Sequence, residues 1–327
     1  MQRVNFGANI AAAIAAAVLF SASLPARAEW PNDRPIKVIV GFGAGGGTDI
    51  VARIIAQPLA EKLNQSVLVE NKPGAGGAIA GEQVVKSDKD GYTATMISAG
   101  HTVSAVMVKA VKYDAVKDFT PVALVADSAF VVVARKDFPA NDLKGLIALA
   151  KASPGKLNIA SVGLGSTQHM AGELITQSTG IDVKHIPFRG TPGVIAALLS
   201  KDVDYAVETL QAVQGQVQAG ELKLLAVCAP QRWPAIPNVP TVAESGVPGY
   251  SVIGWYGWLY PAGTPQAIVD KTYAALKEIV ARPEIKAQME KAGASARLAG
   301  PEEFGKHVAD EVAKWQTVRD KAGLTPQ

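Results

Sequence analysis

Strand-like apolar runs alternate with helical patterns along almost the whole chain, and this alternation limits the possible folds more than any other feature. The runs at 36–40, 67–70 and 92–97 are short and β-rich, and the segments between them carry apolar residues at helical spacing. A second series of the same kind begins near residue 143. Strands that alternate with helices predict an α/β fold with largely parallel sheets.

Three glycine-rich loops follow strands of this pattern, at 41–49, 71–77 and 163–169. Glycine lets backbone N–H groups approach a ligand closely, and the start of a helix offers further unpaired N–H groups to an anion. One hydrogen bond to a charged group contributes about 1.5–3 kcal/mol, so three or four can hold a carboxylate without an arginine. The loops therefore predict an anion site, with tight turns of no binding role as the alternative.

The first 28 residues have the pattern of a secretory signal peptide. Arg3 precedes an apolar run at 10–20, and Ala26-Arg27-Ala28 gives a small-x-small cleavage pattern. The apolar run has only about half of the ~20 residues that span a bilayer. We expect cleavage after Ala28 and a periplasmic mature protein.

The mature chain is too long for one ordinary core, since the whole chain has 327 residues. The apolar run at 122–135 suits a segment that leaves one lobe and enters another, and 251–260 suits the return crossing. We therefore expect lobe 1 to comprise 29–127 and 249–327, and lobe 2 to comprise 128–248.

Charge, cysteine and histidine content exclude several classes of function. Removal of the signal peptide with its two arginines lowers the formal net charge from +3 to +1, which gives no bulk signal for nucleic acid or for an anionic membrane. The single cysteine, Cys228, lies in an apolar run and is expected in the core. The four histidines show no metal-ligand spacing, so we expect neither a metal site nor a cofactor.

Two enzyme functions are alternatives to a binding function: a dinucleotide-dependent enzyme and a serine hydrolase. Gly41-x-Gly43-x-x-Gly46 matches the dinucleotide fingerprint, and Glu70 stands about where a ribose-binding acid belongs. A second glycine loop directly after Glu70 and an export signal both oppose that reading. The loop at 163–167 is not a Gly-x-Ser-x-Gly elbow. We expect no catalytic residues and no enzyme activity.

The chain resembles the Bug-type (TctC-family) extracytoplasmic solute receptors of tripartite tricarboxylate transport systems. The resemblance runs through essentially the whole mature chain and is carried by the segments 40–53, Glu70-Asn71-Lys72-Pro73-Gly74-Ala75-Gly76-Gly77, 163–173, Pro187-Phe188-Arg189-Gly190, 239–246, and Trp255-x-Gly257 with Pro261-Ala262-Gly263-Thr264-Pro265. Gly41 and Gly43 depart from the family pattern, in which proline or another small residue is usual. These two glycines predict a looser first loop.

The resemblance implies a two-lobed periplasmic-binding-protein (type II, Venus-flytrap) fold with two crossing segments and a ligand cleft between the lobes. It implies capture of a small carboxylate, either an organic acid or an amino acid, for uptake by a tripartite tricarboxylate-type transporter. The ligand-binding residues carried over from the family are Phe42, Ala44, Thr48, Ala75, Gly76, Gly77, Ser166, Thr167 and Asp204.

The sequence leaves two roles open for Asp204. It either contacts the distal end of the ligand or serves as a structural cap. The partners expected are the carboxylate and the membrane permease subunits of such a transporter. We expect no nucleic-acid partner and a monomeric state. The alternative function is a sensory or scaffold receptor that binds a carboxylate without a transporter of its own.

Overall fold

The computed structural model describes residues 30–163, 166–188, 190–321 and 323–326. The signal peptide predicted over 1–28 lies outside these residues. The strands are β1 (Ile36–Val40), β2 (Val67–Asn71), β3 (Thr93–Ser98), β4 (Phe119–Arg135), β5 (Asn158–Ser161), β6 (Lys184–Pro187), β7 (Tyr205–Thr209), β8 (Leu222–Val227), β9 (Ile253–Pro261) and β10 (Ala294–Ala299). The helices are α1 (Gly47–Leu63), α2 (Ala78–Val85), α3 (Gly100–Met107), α4 (Leu143–Ala152), α5 (Thr167–Thr179), α6 (Thr191–Ser200), α7 (Leu210–Gln218), α8 (Gln266–Ala281), α9 (Pro283–Lys291) and α10 (Pro301–Lys321).

The strands form two sheet regions that share the long strand β4. In the first region β1 pairs in parallel with β2 and β3, and β9 joins β3 to β4 in antiparallel fashion, with β10 also on β4. In the second region β5 pairs in parallel with β6 and β7, while β7 and β8 both pair antiparallel with β4. This arrangement confirms the predicted two-lobed α/β fold.

Strand β4 is the first crossing segment. Its first part, Phe119–Ala129, pairs with β9, and its last part, Phe130–Arg135, pairs with β7 or β8. The return passes beside this point, since the Cys228 amide donates to the Phe130 carbonyl at 2.8 Å and the Val252 amide donates to the Cys228 carbonyl at 2.9 Å. Cys228 is fully buried, as expected of a core residue. The two crossings therefore lie against each other.

The C-terminal helix α10 contacts the cores of both sheet regions. The sequence pattern places Phe304, Val308 and Trp315 in one apolar stripe, and all three are buried. Phe304 and Val308 pack with Trp255 in the first region. Trp315 instead packs with residues of the second region, including Phe130 and Val207. The helix therefore joins the two halves of the molecule in addition to closing one core.

Within the described part of the chain, none of the helices combines the length and apolar character that a bilayer crossing requires.

Candidate functional site

The carboxyl ends of three parallel strands bring two glycine loops to one edge of the first sheet. β1 ends at Val40, β2 at Asn71 and β3 at Ser98, and β1 lies between the other two. In open α/β sheets, ligands bind at the carboxyl ends of the strands. Loop one (41–46, after β1) and loop two (72–77, after β2) meet here, and Gly41, Phe42, Gly76 and Gly77 line a small crevice of about 10 Å³ together with His101 at the start of α3.

Loops one and two are in direct backbone contact. A Cβ atom placed on Gly41 would lie only 2.7 Å from the Cα atom of Gly77. Gly76 and Gly77 have φ angles of +64° and +97°, which residues with a side chain rarely adopt. The Phe42 ring fills the space beside them and reaches Gly100 at the start of α3. The sequence-predicted residues Phe42, Gly76 and Gly77 are therefore brought together.

Asp49 fixes the geometry of loop one. Its buried carboxylate accepts hydrogen bonds from the Gly45 amide at 2.9 Å, from Arg53 Nε at 3.0 Å and from Asn71 Nδ2 at 2.9 Å. Asn71 Nδ2 also lies 2.9 Å from the Phe42 carbonyl, to which it donates. Since Asn71 ends β2, one buried carboxylate connects the beginnings of both loops. This network fixes loop one at Phe42 and Gly45, and the looser loop that Gly41 and Gly43 predict stays a prediction.

The charge on Asp49 is stabilised by its donors. Burial raises the pKa of the carboxyl group, but hydrogen bonds from Arg53, Gly45 and Asn71 outweigh that effect and hold the pKa below its ordinary value. Asp49 is therefore a carboxylate at neutral pH. It orders the loops by accepting their N–H groups, and it is too well satisfied to act as an acid or base.

Helix α1 directly follows loop one and offers unpaired amides. Its cap residue is Gly46, which makes no side-chain capping bond, so Thr48 and Asp49 lie within the first turn and not at the cap as their sequence positions suggest. The first bond within the helix runs from the Ile50 amide to the Gly46 carbonyl at 3.0 Å. The preceding amides of Gly47, Thr48 and Asp49 have no partner within the helix and carry its positive dipole end.

Loop two ends in a short 3₁₀ turn, Ala75–Gly77, that leads into α2. The Gly77 amide donates to the Gly74 carbonyl at 2.9 Å, and Ser104 Oγ of α3 donates to the Gly76 carbonyl at 2.8 Å. The carbonyl groups of Gly74 and Gly76 are therefore already paired within the protein. The loop is thus fixed from both sides without a charged side chain.

In the second sheet, the predicted residues Ser166 and Thr167 begin α5. Ser166 is the cap residue, and its hydroxyl accepts the His169 amide at 3.1 Å, while Thr167 is buried. Both follow the carboxyl end of β5, which lies beside the carboxyl ends of β6 and β7. Residues 164, 165 and 189 of these loops lie outside the described structure.

Asp204 lies at the other end of its sheet. It immediately precedes β7, where its carboxylate accepts the Asn158 amide at 2.9 Å and Arg135 Nη2 at 3.3 Å. A strand rises about 3.3 Å per residue, so the far end of β7 at Thr209, five residues further on, is about 16–17 Å away. The structure therefore does not bring Asp204 to the loops, and its hydrogen bonds fit the structural cap that was the second reading of this residue.

Glu208, which the sequence analysis did not single out, occupies the end of β7 that Asp204 does not reach. It is fully buried and accepts hydrogen bonds from Thr191 Oγ1 at 3.3 Å and from the Thr209 amide at 3.2 Å. Burial raises its pKa to about 7, although the hydrogen bonds to its carboxylate oppose this. Glu208 therefore connects the end of β7 to the first residue of α6. The sequence feature that could have indicated this residue is an acid inside the apolar run of β7.

The two sheet regions meet at the first residue of α1. Tyr256 OH of β9 donates to Gln211 Oε1 of α7 at 3.1 Å. A Cβ atom on Gly47 would lie 2.3 Å from Tyr256 OH and 2.7 Å from Gln211 Oε1. A residue of the second region therefore lies against the start of α1.

Gly47→Ala tests this close approach. Alanine suits the backbone of a helix start, so the expected defect is the collision with Tyr256 and Gln211, and we expect ligand affinity to fall about tenfold, which is about 1.4 kcal/mol. Gly43→Ala, in the loop that precedes α1, is the matched control, because a Cβ atom there has no neighbour within 4 Å. Calorimetric titration of both variants measures the effect, and equal affinities for the two would refute the assignment.

Sequence and structure comparisons agree on one family. The sequence model described as "Tripartite tricarboxylate transporter family receptor" (TctC) matches residues 51–324. BugT of Bordetella pertussis is 32% identical over 301 residues, which cover 91% of this chain and 92% of that protein. A UPF0065 protein of Pseudomonas sp. strain P51 is 32% identical over 309 residues, which cover 94% and 92%.

Solved structures of the same kind superpose on nearly the whole chain. Rpa4515 of R. palustris with adipate has a TM-score of 0.85 at 32% identity and covers 91% of this chain and 100% of that one. The periplasmic binding protein BugD has a TM-score of 0.80 at 34% identity, with coverage of 90% and 99%. MatC (Rpa3494) from Rhodopseudomonas palustris with bound malate has a TM-score of 0.78 at 32% identity, with coverage of 88% and 99%.

Proposed function

The chain belongs to the tripartite tricarboxylate transporter receptor family, and on that premise we propose that it is a periplasmic solute-binding protein that captures a small carboxylate between its two lobes. The observation that carries the proposal is the backbone contact between loops one and two at the positive end of α1. Adipate in Rpa4515 and malate in MatC support a carboxylate as the ligand class.

The proposed grip on the ligand uses backbone amides in place of an arginine. In lobe 1 it involves Phe42, Ala44 and Thr48 of loop one and the start of α1, with Ala75, Gly76 and Gly77 of loop two. From lobe 2, Ser166 and Thr167 complete the set. Asp204 is left out, because its carboxylate is bonded to Asn158 and Arg135 at the opposite end of β7.

Capture then occurs by closure of the lobes, proposed as 29–127 with 249–327 and as 128–248. A ligand that touches both lobes favours the closed state only to the extent that it binds that state better. Gln211 and Tyr256 already join the two sheet regions through a hydrogen bond. Closure of the lobes would change the contacts of these two residues. The closed receptor is then offered to the permease subunits of a tripartite tricarboxylate transporter, for which it acts as a monomer exported by its signal peptide.

We propose retention of the ligand without chemical conversion. The titratable group that lines the crevice is His101, whose pKa is lowered to about 4 by burial, so the ring is neutral. Its Nε2 atom lies 3.0 Å from the Ala115 carbonyl, which gives the ring a structural partner. A family of receptors, as opposed to enzymes, agrees with this chemistry.

Thermal unfolding with a panel of carboxylates tests the proposed function. Adipate, malate, a tricarboxylate and several amino acids are the first probes, and a ligand at a hundredfold its Kd should add about 2.7 kcal/mol to the free energy of unfolding. The matched controls are the diamide or dimethyl ester of each acid that stabilises. The proposal would be contradicted if a neutral analogue stabilised the protein as strongly as its acid does. It would also be contradicted if none of the acids stabilised the protein.

A further inference from the structure

A cluster of metal-ligating side chains lies outside the proposed carboxylate site, in the second lobe. His169 and Glu173 are four residues apart on α5 and so share one face of the helix, and His185 comes from the neighbouring strand β6. One ligand atom from each of the three residues lies within 4.8 Å of the others. The sequence shows no metal-ligand spacing among its histidines, because the third ligand comes from a different element and the second is a glutamate.

Two of the three distances within the cluster are close to those around a tetrahedral ion. Glu173 Oε1 lies 3.2 Å from His185 Nε2 and 3.6 Å from His169 Nε2. Ligand atoms about 2.0–2.1 Å from a tetrahedral Zn²⁺ are separated from one another by about 3.3 Å. Two imidazoles and one carboxylate form a donor set that zinc sites use, with the fourth position left to water.

Hydrogen bonding among the described residues does not account for the position of His185. Both of its ring nitrogens are buried and have no hydrogen-bond partner among the described residues, although Nε2 is close to the Glu173 carboxylate. Buried polar atoms are nearly always paired, so two unpaired nitrogens on one ring require an explanation. A lone pair directed at a metal ion supplies one.

Part of the cluster is accessible to solvent. The side chains of Glu173 and His185 retain 17% and 12% of their accessible surface, so solvent reaches one side of the cluster.

We propose that His169, Glu173 and His185 bind one transition-metal ion of the Zn²⁺ type and thereby join α5 to β6. The site is separate from the carboxylate cleft, but α5 begins with Thr167 of the proposed ligand set. Bound metal would hold that helix against the sheet.

The experiment uses tag-free mature protein stripped with a chelator, titrated with Zn²⁺ alone and, separately, with Co²⁺. We expect one ion per chain, with the visible absorption of tetrahedral Co²⁺. His185→Gln and Glu173→Gln should each weaken Zn²⁺ binding by at least about a hundredfold, since even outer-shell changes cost 10–100-fold. His307→Gln is the matched control, because His307 packs against Trp255 in the first lobe, and it should bind as the wild type does.

If neither Zn²⁺ nor Co²⁺ binds stoichiometrically to the wild-type protein, the proposal is overturned, whatever the variants do. Zn²⁺ affinity equal in His185→Gln and in the wild type overturns it as well. Thermal melts without metal establish that each variant is folded. A carboxylate that still binds when Zn²⁺ does not would leave the proposed function standing, so the two proposals fail separately.

Discussion

Replacement of Asp49 by alanine should weaken carboxylate binding by about tenfold to a hundredfold and lower the free energy of unfolding by about 2–3 kcal/mol. The carboxylate is buried and accepts the Gly45 amide, Arg53 and Asn71, and each hydrogen bond to a charged group contributes about 1.5–3 kcal/mol. Arg53 is half exposed and can be solvated when its partner is lost, so the total stays near the value of one or two such bonds.

Affinity falls in this variant although Asp49 contacts no ligand in the proposed mechanism. Without the carboxylate, the Gly45 amide and the Asn71 side chain lose the group that orders loops one and two. The ligand must then pay the ordering cost on binding. Calorimetry for affinity and chemical unfolding for stability measure the two effects.

Asp142→Ala is the matched control for this prediction. Asp142 caps α4 and accepts the Gly145 amide at 2.7 Å, so its loss should cost about 1 kcal/mol of stability with no change in affinity. An Asp49→Ala protein that binds carboxylates as tightly as the wild type would show that loop order does not depend on this residue.

Glu208→Gln should flatten the pH dependence of stability between about pH 4.5 and 7. The pKa of Glu208 is raised from 4.5 to about 7, so in this window the folded protein binds more protons than the unfolded chain. The wild-type free energy of unfolding must then fall as pH rises through it. The whole window corresponds to about 3 kcal/mol, since a pKa difference of one is worth about 1.4 kcal/mol.

The glutamine variant retains an acceptor for Thr191 and the Thr209 amide but cannot ionise. Relative to the wild type, it should therefore gain up to about 3 kcal/mol between pH 4.5 and pH 8. Urea unfolding at a series of pH values measures the difference. Glu284→Gln, on the exposed first turn of α9, is the control and should keep the wild-type slope. Parallel curves for Glu208→Gln and the wild type would mean that the pKa of Glu208 is the same in the folded and the unfolded protein.

Sequence patterns were sufficient for most of the strands, although not for β10, and for loops one and two. Strand and helix periodicity are local properties, and the glycine runs after β1 and β2 mark backbone that approaches other backbone. The contact between Gly41 and Gly77 follows because parallel neighbouring strands place their carboxyl ends together.

The sequence pattern could not assign residues whose role depends on which end of a strand faces the cleft. It also could not assign residues whose partners are distant in the chain. Asp204 and Glu208 lie at the two ends of one short strand, and composition does not tell which end faces a cleft. His169, Glu173 and His185 meet only because α5 packs beside β6. The stripe on α10 reads as one apolar face, yet Phe304 and Trp315 enter different cores.

The role of Asp49 also could not be predicted from the local sequence. An aspartate close to the start of a helix reads as a cap, because that is the local role of the residue type. In the folded protein it lies in the first turn and accepts a side chain from the end of β2, 22 residues further along the chain. That partner is defined by the parallel pairing of β1 and β2 and is not visible in the local pattern.

Hydrogen–deuterium exchange with and without the best-binding carboxylate tests the binding mode most directly. Peptides that cover 41–49 and 72–78 should both become protected, because amides of both loops donate to the same ligand group, while a peptide over α8 should not change. Saturating ligand that protects neither peptide, or that protects only segments remote from them, would contradict a carboxylate held by the two glycine loops.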